Sequence, residues 1–186
     1  MCLALPGRTL LLVAGMPGAG KSTLLAGLPA REGRVVLDSD TYRAALRRVL
    51  PGVPYGAYRP LVHLWHRLAV VVAALSATPT VVVHLPATDP STRVAVARLA
   101  ALTGRTAHLL WLHVDAEEAR RGQVERGRVV PEASFAAHAE RAANTAAELH
   151  EAPTGRHWAG VTVLDRAAAR AGLVLETGAE VTATSR

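Results

Sequence analysis

Residues 9–23 read Thr-Leu-Leu-Leu-Val-Ala-Gly-Met-Pro-Gly-Ala-Gly-Lys-Ser-Thr, and this stretch decides the fold. Residues 9–14 form an apolar run, typical of a central strand in a parallel sheet covered on both faces. Residues 15–22 then match the pattern Gly-x-x-x-x-Gly-Lys-Ser/Thr, directly before a predicted helix. Glycines let the backbone amides of such a loop point at phosphate groups, and the helix N-terminus adds positive potential. The stretch therefore predicts a phosphate-binding loop in an α/β fold.

The chemistry of this loop assigns roles to particular side chains. Lys21, the only lysine in the sequence, is expected to contact the β and γ phosphates of a nucleotide, and the Ser22 hydroxyl to bind Mg²⁺. The predicted nucleotide-binding residues of the loop are Gly15, Pro17, Gly18, Ala19, Gly20, Lys21, Ser22 and Thr23. The competing interpretation is a glycine-rich turn that binds nothing, although chance would produce the pattern in only about one in a thousand sequences of this composition.

Composition limits the class of protein. With 186 residues, 50% of them hydrophobic and 19% charged, the chain is suited to one folded domain, and intrinsic disorder is excluded for most of it. Cys2 is the only cysteine, which excludes a disulfide scaffold and is compatible with a reducing cytoplasm. The net charge of +6 mildly favours anionic partners but does not by itself indicate a nucleic-acid-binding protein.

Two apolar stretches resemble a targeting or membrane segment in composition but not in organisation. Residues 1–15 have no preceding basic region and lead directly into the phosphate loop. Residues 68–88 contain no charged residue, but Thr78-Pro79-Thr80 divides them into a helical piece and a β-branched piece. We therefore expect no membrane association and a cytoplasmic location.

Strand-length and helix-length patterns alternate along the chain. Strands are predicted over residues 9–14, 34–37, 80–85, 106–114 and 161–164, and helices over residues 21–28, 41–50, 61–76, 91–102, 116–126 and 132–151, with a short helix ending near residue 171. This alternation predicts a parallel α/β sheet with helices on both faces. Residues 1–172 are predicted to form a single domain, and residues 173–186, where the pattern fades, a frayed C-terminal tail.

Two acidic residues follow the second predicted strand, in the run Asp38-Ser39-Asp40-Thr41-Tyr42-Arg43. Because the carboxyl ends of parallel strands face the ligand crevice, both carboxylates are expected near the phosphate loop. Asp40 is predicted to accept the proton of an attacking hydroxyl group, and Asp38 to bind a Mg²⁺-bound water or the acceptor. Arg43, one helical turn after Asp40, is expected to hold an acceptor oxyanion or a phosphate. The competing interpretation is that Asp40 only caps the following helix.

A phosphate loop followed by a strand that ends in Asp-x-x-Arg resembles the polynucleotide kinase and zeta-toxin group of P-loop phosphotransferases, an AAA-type ATP-binding group. In that group the aspartate is the general base and the arginine contacts the acceptor, and Asp40 and Arg43 match those positions. The resemblance covers roughly residues 9–164. It implies a P-loop NTPase three-layer sandwich, with a five-stranded parallel sheet in the order 2-3-1-4-5 and a helical lid that carries arginines.

The third predicted strand departs from that group. Related kinases often have an acid after an apolar strand and an arginine nine residues later, whereas here residues 81–83 lead to His84, with Arg93 in the expected register. Either His84 takes the place of the acid, or Asp38 or Asp40 has taken over its role in binding Mg²⁺-bound water, or catalysis is impaired. A histidine that merely ends a strand is the competing interpretation.

An arginine-rich segment over residues 116–135 resembles the lid of the same kinases. It contains Arg120, Arg121, Arg126 and Arg128, with flexibility from Gly122 and Gly127. Arg126 and Arg128 are predicted to be catalytic, because a guanidinium brought to the transferring phosphoryl group by lid closure stabilises the charge there. Arg120 or Arg121 is the further candidate, and Arg120 is the one assigned to the nucleotide. An ion pair with Glu117 on a solvated helix face is the competing interpretation.

Residues 51–76 are predicted to form an acceptor-binding insert, with a proline-rich loop over residues 51–60 followed by a helix. The predicted acceptor-binding residues are Asp38, Asp40, Arg43, Tyr55, His63 and His84, and the predicted Mg²⁺ ligands are Ser22 and Asp38. Ordinary helix packing is the competing interpretation for the insert. A zinc site is not expected, since His63 and His66 have no cysteine or other obvious ligand nearby.

Together these features predict an ATP- and Mg²⁺-dependent phosphotransferase that moves the γ phosphoryl group of ATP to a hydroxyl group of a small molecule or nucleoside. Its predicted catalytic residues are Lys21, Asp40, Arg126 and Arg128. One alternative is a polynucleotide 5′-hydroxyl kinase, with nucleic acid as a less favoured partner. Another is a nucleotide-binding switch or ATPase without a phosphoryl acceptor, which the missing acid at His84 favours.

Overall fold

The computed structural model describes residues 1–125, 127, 129–151 and 157–177. The strands are β1 (Cys2–Leu5), β2 (Thr9–Ala14), β3 (Arg34–Asp38), β4 (Thr80–His84), β5 (Thr106–Leu112), β6 (Gly160–Leu164) and β7 (Val174–Thr177). The helices are α1 (Lys21–Ala26), α2 (Ser39–Val49), α3 (Tyr55–Leu75), α4 (Pro90–Leu102), α5 (Ala116–Val124), α6 (Glu132–Glu151) and α7 (Arg166–Arg170).

Five strands form a parallel sheet in the order β3-β4-β2-β5-β6. Numbered among themselves, they have the order 2-3-1-4-5, so the predicted sheet is confirmed. The apolar run of β2 lies at the centre, where all six of its residues are buried, as expected for a strand covered on both faces. The register sets Val13 beside His84 and His84 beside Asp38. The carboxyl ends of β2, β4 and β3 therefore meet at one edge, directly beside the phosphate loop.

Helices pack against the sheet in two groups. Helices α3 and α4 contact each other as well as strands β2 to β5, whereas α1 contacts α7, which packs on β6. Leu24 and Leu25 of α1 and Val70 and Ala74 of α3 are buried in the same core as β2. The result is the predicted three-layer α/β sandwich, in which buried apolar area supplies the main stabilisation.

The prediction of a frayed tail from residue 173 is wrong for residues 174–177. These residues form β7, which pairs in parallel with β1, with Cys2 beside Val174 and Leu5 beside Thr177. The terminal ammonium of Met1 donates to the carbonyl of Gly172 at 3.0 Å. Leu5 and Leu175 are each only 1% exposed and belong to the main core, so burial of these side chains holds the second sheet in place. Residues 178–186 lie outside the described part of the chain.

The prediction of a loop over residues 51–60 is also wrong in its second half, because α3 begins at Tyr55. Pro54 precedes the helix with extended backbone, which proline favours, and Pro60 lies within the helix. Burial of Tyr58 and Val62 offsets the loss of the Pro60 amide donor. At the other end, Arg105 donates to the carbonyls of Ala73, Ala74 and Ser76 and so caps α3.

No helix in the described ranges has the length and apolar character needed to cross a membrane.

Candidate active site

The phosphate loop joins β2 to α1, and its conformation depends on glycine. Gly15, Gly18 and Gly20 have φ angles of 138°, 94° and 98°, a region that residues with a Cβ rarely adopt. A Cβ on Gly18 would lie 2.0 Å from the carbonyl oxygen of Ala119 in α5. The glycines therefore permit both the curled loop and the direct contact between its backbone and α5.

Lys21 is the first residue of α1, and it is only 5% exposed. Its Nζ donates to the carbonyl oxygens of Gly15 at 2.7 Å and Met16 at 2.9 Å. A buried ammonium group is costly unless it is hydrogen-bonded, and these carbonyls stabilise it within the loop. In this position the charge lies where phosphates held by the loop would meet it.

A cavity of about 580 Å³ opens beside the loop. One wall is formed by Pro17, Gly18, Gly20, Lys21 and Ser22, the second by Asp38, Asp40, Arg43, Tyr55, Arg59, His63 and His84, and the third by Gly122, Gln123, Gly127, Val129, Val130, Pro131 and Ser134. The structure thus brings together all six residues predicted to bind the acceptor. Among the predicted nucleotide-binding residues, Gly15, Ala19, Thr23 and Arg120 lie outside this lining.

Asp38 ends β3 and links two neighbouring elements. Its Oδ1 accepts the backbone N–H of Asp40 at 3.0 Å, and its Oδ2 lies 2.9 Å from Nδ1 of His84 on β4. Burial raises the pKa of the Asp38 carboxyl, but the hydrogen bond and charge of His84, with the Asp40 amide, outweigh it and leave the pKa below its usual 3.8. Asp38 is therefore held as a carboxylate by the histidine that stands where related kinases have an acid.

The interpretation of Asp40 as a helix cap is wrong, because the cap is Asp38. Helix α2 begins at Ser39, two residues before the predicted start, and Asp38 has the extended backbone of an N-cap. Asp40 instead lies in the first turn of α2, where a negative charge is favoured by the helix dipole. It lines the same cavity as Lys21. The two carboxylates therefore have different environments, although both line the cavity: Asp38 is held by His84 and the Asp40 amide, and Asp40 lies in the first turn of α2.

Ordinary packing accounts for one of the two histidines in the predicted insert. His66 is 1% exposed, and its Nε2 lies 3.2 Å from the carbonyl oxygen of Leu37, which ties α3 to β3. Burial is the largest cause of the lowered pKa of His66. His63, one turn earlier, lines the cavity. Burial lowers the pKa of His63 as well, and the charges of Arg59 and Arg67 lower it further, so its imidazole is neutral at pH 7.

The start of α3 brings aromatic rings and guanidinium groups to the acceptor side of the cavity. The guanidinium carbon of Arg43 lies 4.2 Å from the centroid of the Tyr55 ring, a cation–π contact. Tyr55 in turn contacts Tyr58 edge-to-face, with centroids 5.4 Å apart. Nε of Arg59 donates to Nε2 of His63 at 3.2 Å. This wall can therefore stack on a ring or hold an anionic group.

Gln123 is a site residue that sequence reasoning missed. It is 3% exposed, and its Nε2 donates to the carbonyl of Pro17 in the phosphate loop at 3.0 Å. Its Oε1 accepts the backbone N–H of Val130, seven residues later in the lid segment, at 2.9 Å. One buried amide thus connects the phosphate loop to the lid. Its position in the lid pattern was visible, but nothing in the sequence indicated which backbone groups it would meet.

The lid arginines have different positions. Arg120 forms a two-point ion pair with Glu132 at 2.5 and 2.8 Å and lies over the Phe135 ring at 4.4 Å. It is not among the residues that line the cavity. Arg121 pairs with Glu117 at 2.6 Å on an exposed helix face, as the competing interpretation predicts. The predicted catalytic residues Arg126 and Arg128 lie outside the described residues.

The oxygen donors beside the loop are of the kind that Mg²⁺ prefers. The hydroxyl-bearing Ser22 and the carboxylates of Asp38 and Asp40 line one cavity. Within the described ranges no cluster of three or more His, Cys, Asp or Glu side chains could form a dedicated metal cage. Mg²⁺ in nucleotide sites is typically held by one or two protein oxygens together with phosphates and water, so the residues present fit this ion.

A family model described as an AAA domain matches residues 10–149, most of the chain. The chain belongs to the AAA domain family. The matched range contains the phosphate loop, both strand-end acids, His84 and the lid segment. The resemblance to the P-loop kinase group that these residues suggested is therefore confirmed.

Solved structures share the fold of this AAA domain at low sequence identity. A chain of the PezAT chromosomal toxin-antitoxin system of Streptococcus pneumoniae is 14% identical, with a TM-score of 0.61 over 87% of this chain and 68% of its own. A proposed kinase from Chloroflexus aurantiacus is 15% identical, with a TM-score of 0.55 and coverage of 85% and 88%. A gluconokinase from Sinorhizobium meliloti is 19% identical, with a TM-score of 0.50 and coverage of 86% and 83%. No curated protein matches the sequence of this AAA domain.

Proposed function

We propose that this protein is an ATP- and Mg²⁺-dependent phosphotransferase that moves the γ phosphoryl group of ATP to a hydroxyl group of a small molecule or nucleoside. One observation carries the proposal: the phosphate loop with Lys21 and the carboxylate of Asp40 line the same cavity of about 580 Å³. Phosphoryl transfer requires phosphate-binding groups and a proton acceptor within reach of the same reacting atoms. A loop that bound nucleotide only for structure would need no carboxylate in the same cavity.

On the nucleotide side, the loop amides and Lys21 would hold the β and γ phosphates, and Ser22 would hold Mg²⁺. When bound, Mg²⁺ neutralises part of the charge on the phosphate oxygens. The buried ammonium of Lys21 is already oriented by two carbonyl groups of the loop. This pre-organisation reduces the cost of positioning the charge when the nucleotide binds.

On the acceptor side, Asp40 is the better candidate for the general base. Asp38 is occupied by the Asp40 amide and by His84, and its pKa is held below 3.8, which makes it a weak proton acceptor. We assign Asp38 and His84 to positioning the cavity wall at the ends of β3 and β4. Asp38 would also be able to order a Mg²⁺-bound water. In the reaction, the acceptor oxygen bonds to the γ phosphorus as the bond to the β-γ bridging oxygen breaks, the hydroxyl proton goes to Asp40, and ADP leaves.

The side of the cavity formed by Arg43, Tyr55, Arg59 and His63, which we call the acceptor wall, favours a small hydroxylated molecule that carries a ring or an anionic group. A cavity of about 580 Å³ is within the range of sites for small ligands, and it must also hold the phosphate end of ATP. The guanidinium of Arg43 lies over the Tyr55 ring, so this wall presents a positive charge and an aromatic ring together. A polynucleotide would be expected to require a longer basic groove along its backbone.

The experiment uses γ-labelled ATP with Mg²⁺ and a panel of nucleosides, sugars, amino alcohols and 5′-hydroxyl oligonucleotides. We expect the label on one small-molecule class, with turnover reduced at least about 100-fold in Asp40→Asn, the lower limit of what a positioned general base contributes. Lys21→Ala should abolish transfer. The matched control is Asp89→Asn, which changes the N-cap of α4 outside the cavity lining and should keep its turnover.

Three outcomes would contradict the proposal. Near-normal turnover in Asp40→Asn would remove Asp40 as the base. Label found only in free phosphate, at a rate that no hydroxyl compound changes, would indicate a nucleotide switch or an ATPase. Transfer to oligonucleotides alone, weakening steeply with added salt, would instead support the polynucleotide kinase alternative.

A further inference from the structure

The outer face of α3 is apolar from Leu61 to Leu75. Seven large apolar side chains on this helix are between 39% and 67% exposed: Leu61, Leu64, Trp65, Leu68, Val71, Val72 and Leu75. We call this set the α3 stripe. Arg67 is the only arginine, lysine or acid from residue 61 to residue 75. The outer face of a solvated helix normally carries charged residues, so the composition of the α3 stripe is that of a buried surface.

The size of the α3 stripe is that of a protein interface. From the exposed fractions, the seven side chains present on the order of 700 Å² of apolar surface, more than the roughly 300–600 Å² of the largest patch on a typical monomer. A stable complex buries about 800 Å² on each partner. The stripe therefore supplies nearly the whole area that one side of a dimer requires.

The spacing of the α3 stripe fits a second copy of this chain as its partner. Leu68 is at the centre, and the other members lie three, four and seven residues before and after it. A two-fold symmetric interface requires a surface that is complementary to itself when reversed. The heptad spacing of Leu61, Leu68 and Leu75 is also that of helices that pair along their length.

We propose that the protein is a homodimer in which α3 packs antiparallel against α3 of a second copy, with Leu68 on the two-fold axis. In this arrangement Trp65 faces Val71 of the second copy and Leu64 faces its Val72, so at these two positions a larger side chain meets a smaller one. Leu61 faces Leu75 of the second copy at each end. The pairing sets unequal side chains together beside the axis and leucines together on the axis and at both ends, which permits close packing.

The dimer would also restrain the acceptor wall, because most of that wall lies on the same helix as the stripe. Tyr55 and His63 line the cavity from the start of α3, while Trp65 of the stripe contacts Tyr42 of α2, with centroids 5.3 Å apart. The inference concerns the surface of α3, and it stands whether or not the proposed phosphotransferase activity is found.

Sedimentation velocity of the intact chain tests the association. We expect a species of twice 19.6 kDa at micromolar concentration. Leu68→Arg places two guanidinium groups together on the axis and should raise the dissociation constant at least about 100-fold, because like charges in an interface are strongly unfavourable. Leu102→Arg is the matched control, since Leu102 lies on α4 and is 86% exposed, and it should leave the dimer intact. A monomer at all concentrations, or a dimer unaffected by Leu68→Arg, would overturn the proposal.

Disulfide cross-linking tests the antiparallel register in a Cys2→Ser background, which removes the only native cysteine. Leu68→Cys should form a disulfide between the two copies. Leu61→Cys alone should not, because the antiparallel arrangement places residue 61 of the two copies at opposite ends of the helix pair. The length of fourteen residues, about 21 Å along a helix, separates them, which is beyond the reach of a disulfide. Combining Leu61→Cys with Leu75→Cys should restore cross-linking. Efficient cross-linking of Leu61→Cys alone would refute the antiparallel arrangement.

Discussion

Gly122 in α5 provides a stringent test of the contact between the lid helix and the phosphate loop. A Cβ at this position would lie 2.4 Å from the carbonyl oxygen of Gly18. Ordinary contact begins near 3.4 Å, so Gly122→Ala must move α5 away from the loop by about 1 Å. Overpacking of this kind typically costs about 1–3 kcal/mol, whereas alanine in place of glycine in a helix contributes up to about 1 kcal/mol in the opposite direction.

The expected net loss for Gly122→Ala is about 1–2 kcal/mol of unfolding free energy. For a chain of this size that lowers Tm by roughly 2–8 °C, measured by differential scanning calorimetry. Because the displaced carbonyl belongs to the phosphate loop, MgATP affinity measured by titration calorimetry should fall about tenfold, the equivalent of 1.4 kcal/mol.

Gly56→Ala is the matched control for this substitution. Gly56 is also a helical glycine, in the first turn of α3, and a Cβ there would meet nothing within 4 Å. We expect its Tm to be unchanged or slightly raised, since only the helix propensity differs. If Gly122→Ala were as stable as Gly56→Ala and bound MgATP normally, the close packing of α5 on the loop would be refuted.

Three further substitutions test other contacts. Asp38 has a lowered pKa, so its carboxylate stabilises the fold above pH 3.8, and this contribution is lost as the pH falls through the folded-state pKa. Urea unfolding should show Asp38→Asn less stable than wild type at pH 7, with a smaller difference in unfolding free energy at pH 3. An equal difference at the two pH values would count against a stabilising role of the carboxylate. Gln123→Ala leaves the Pro17 carbonyl and the Val130 amide without their Gln123 partner. We therefore expect the free energy of unfolding in urea to fall by about 1–3 kcal/mol and the KM for ATP to rise. An unchanged unfolding free energy together with an unchanged KM would contradict the role of Gln123 in linking the loop to the lid. Arg121→Ala should change stability by less than about 1 kcal/mol, since its ion pair is exposed, and a tenfold fall in turnover would show that its role is not limited to the surface.

The sheet was predictable because its central strands are buried on both faces. Such strands must be apolar without interruption, as residues 10–13 and 81–83 are, and the phosphate-loop pattern fixes the point where β2 ends. The strand-end residues Asp38, Asp40 and His84 could be assigned to one wall for the same reason, because parallel strands deliver their carboxyl ends to one edge.

Other features depend on contacts that sequence patterns do not encode. Strand β7 has only four residues, and its partner β1 lies more than 170 residues away in the chain, so no local pattern indicates the pair. The start of α3 was obscured because three prolines in residues 51–60 suggest a loop, while burial of Tyr58 supplies the stabilisation for a helix. The roles of Gln123 and Gly122 arise from backbone carbonyls of the phosphate loop, which leave no trace in the sequence.

The pairing of β1 with β7 has a consequence for synthesis on the ribosome. Residues 2–5 are made about 170 residues before their hydrogen-bonding partners, residues 174–177. Leu5 can enter the core with its final neighbours only after Leu175 has emerged from the ribosome, because Leu175 is part of the same buried cluster. A nascent or prematurely terminated chain would therefore expose an apolar strand edge, the kind of surface on which chaperones act and from which aggregation begins.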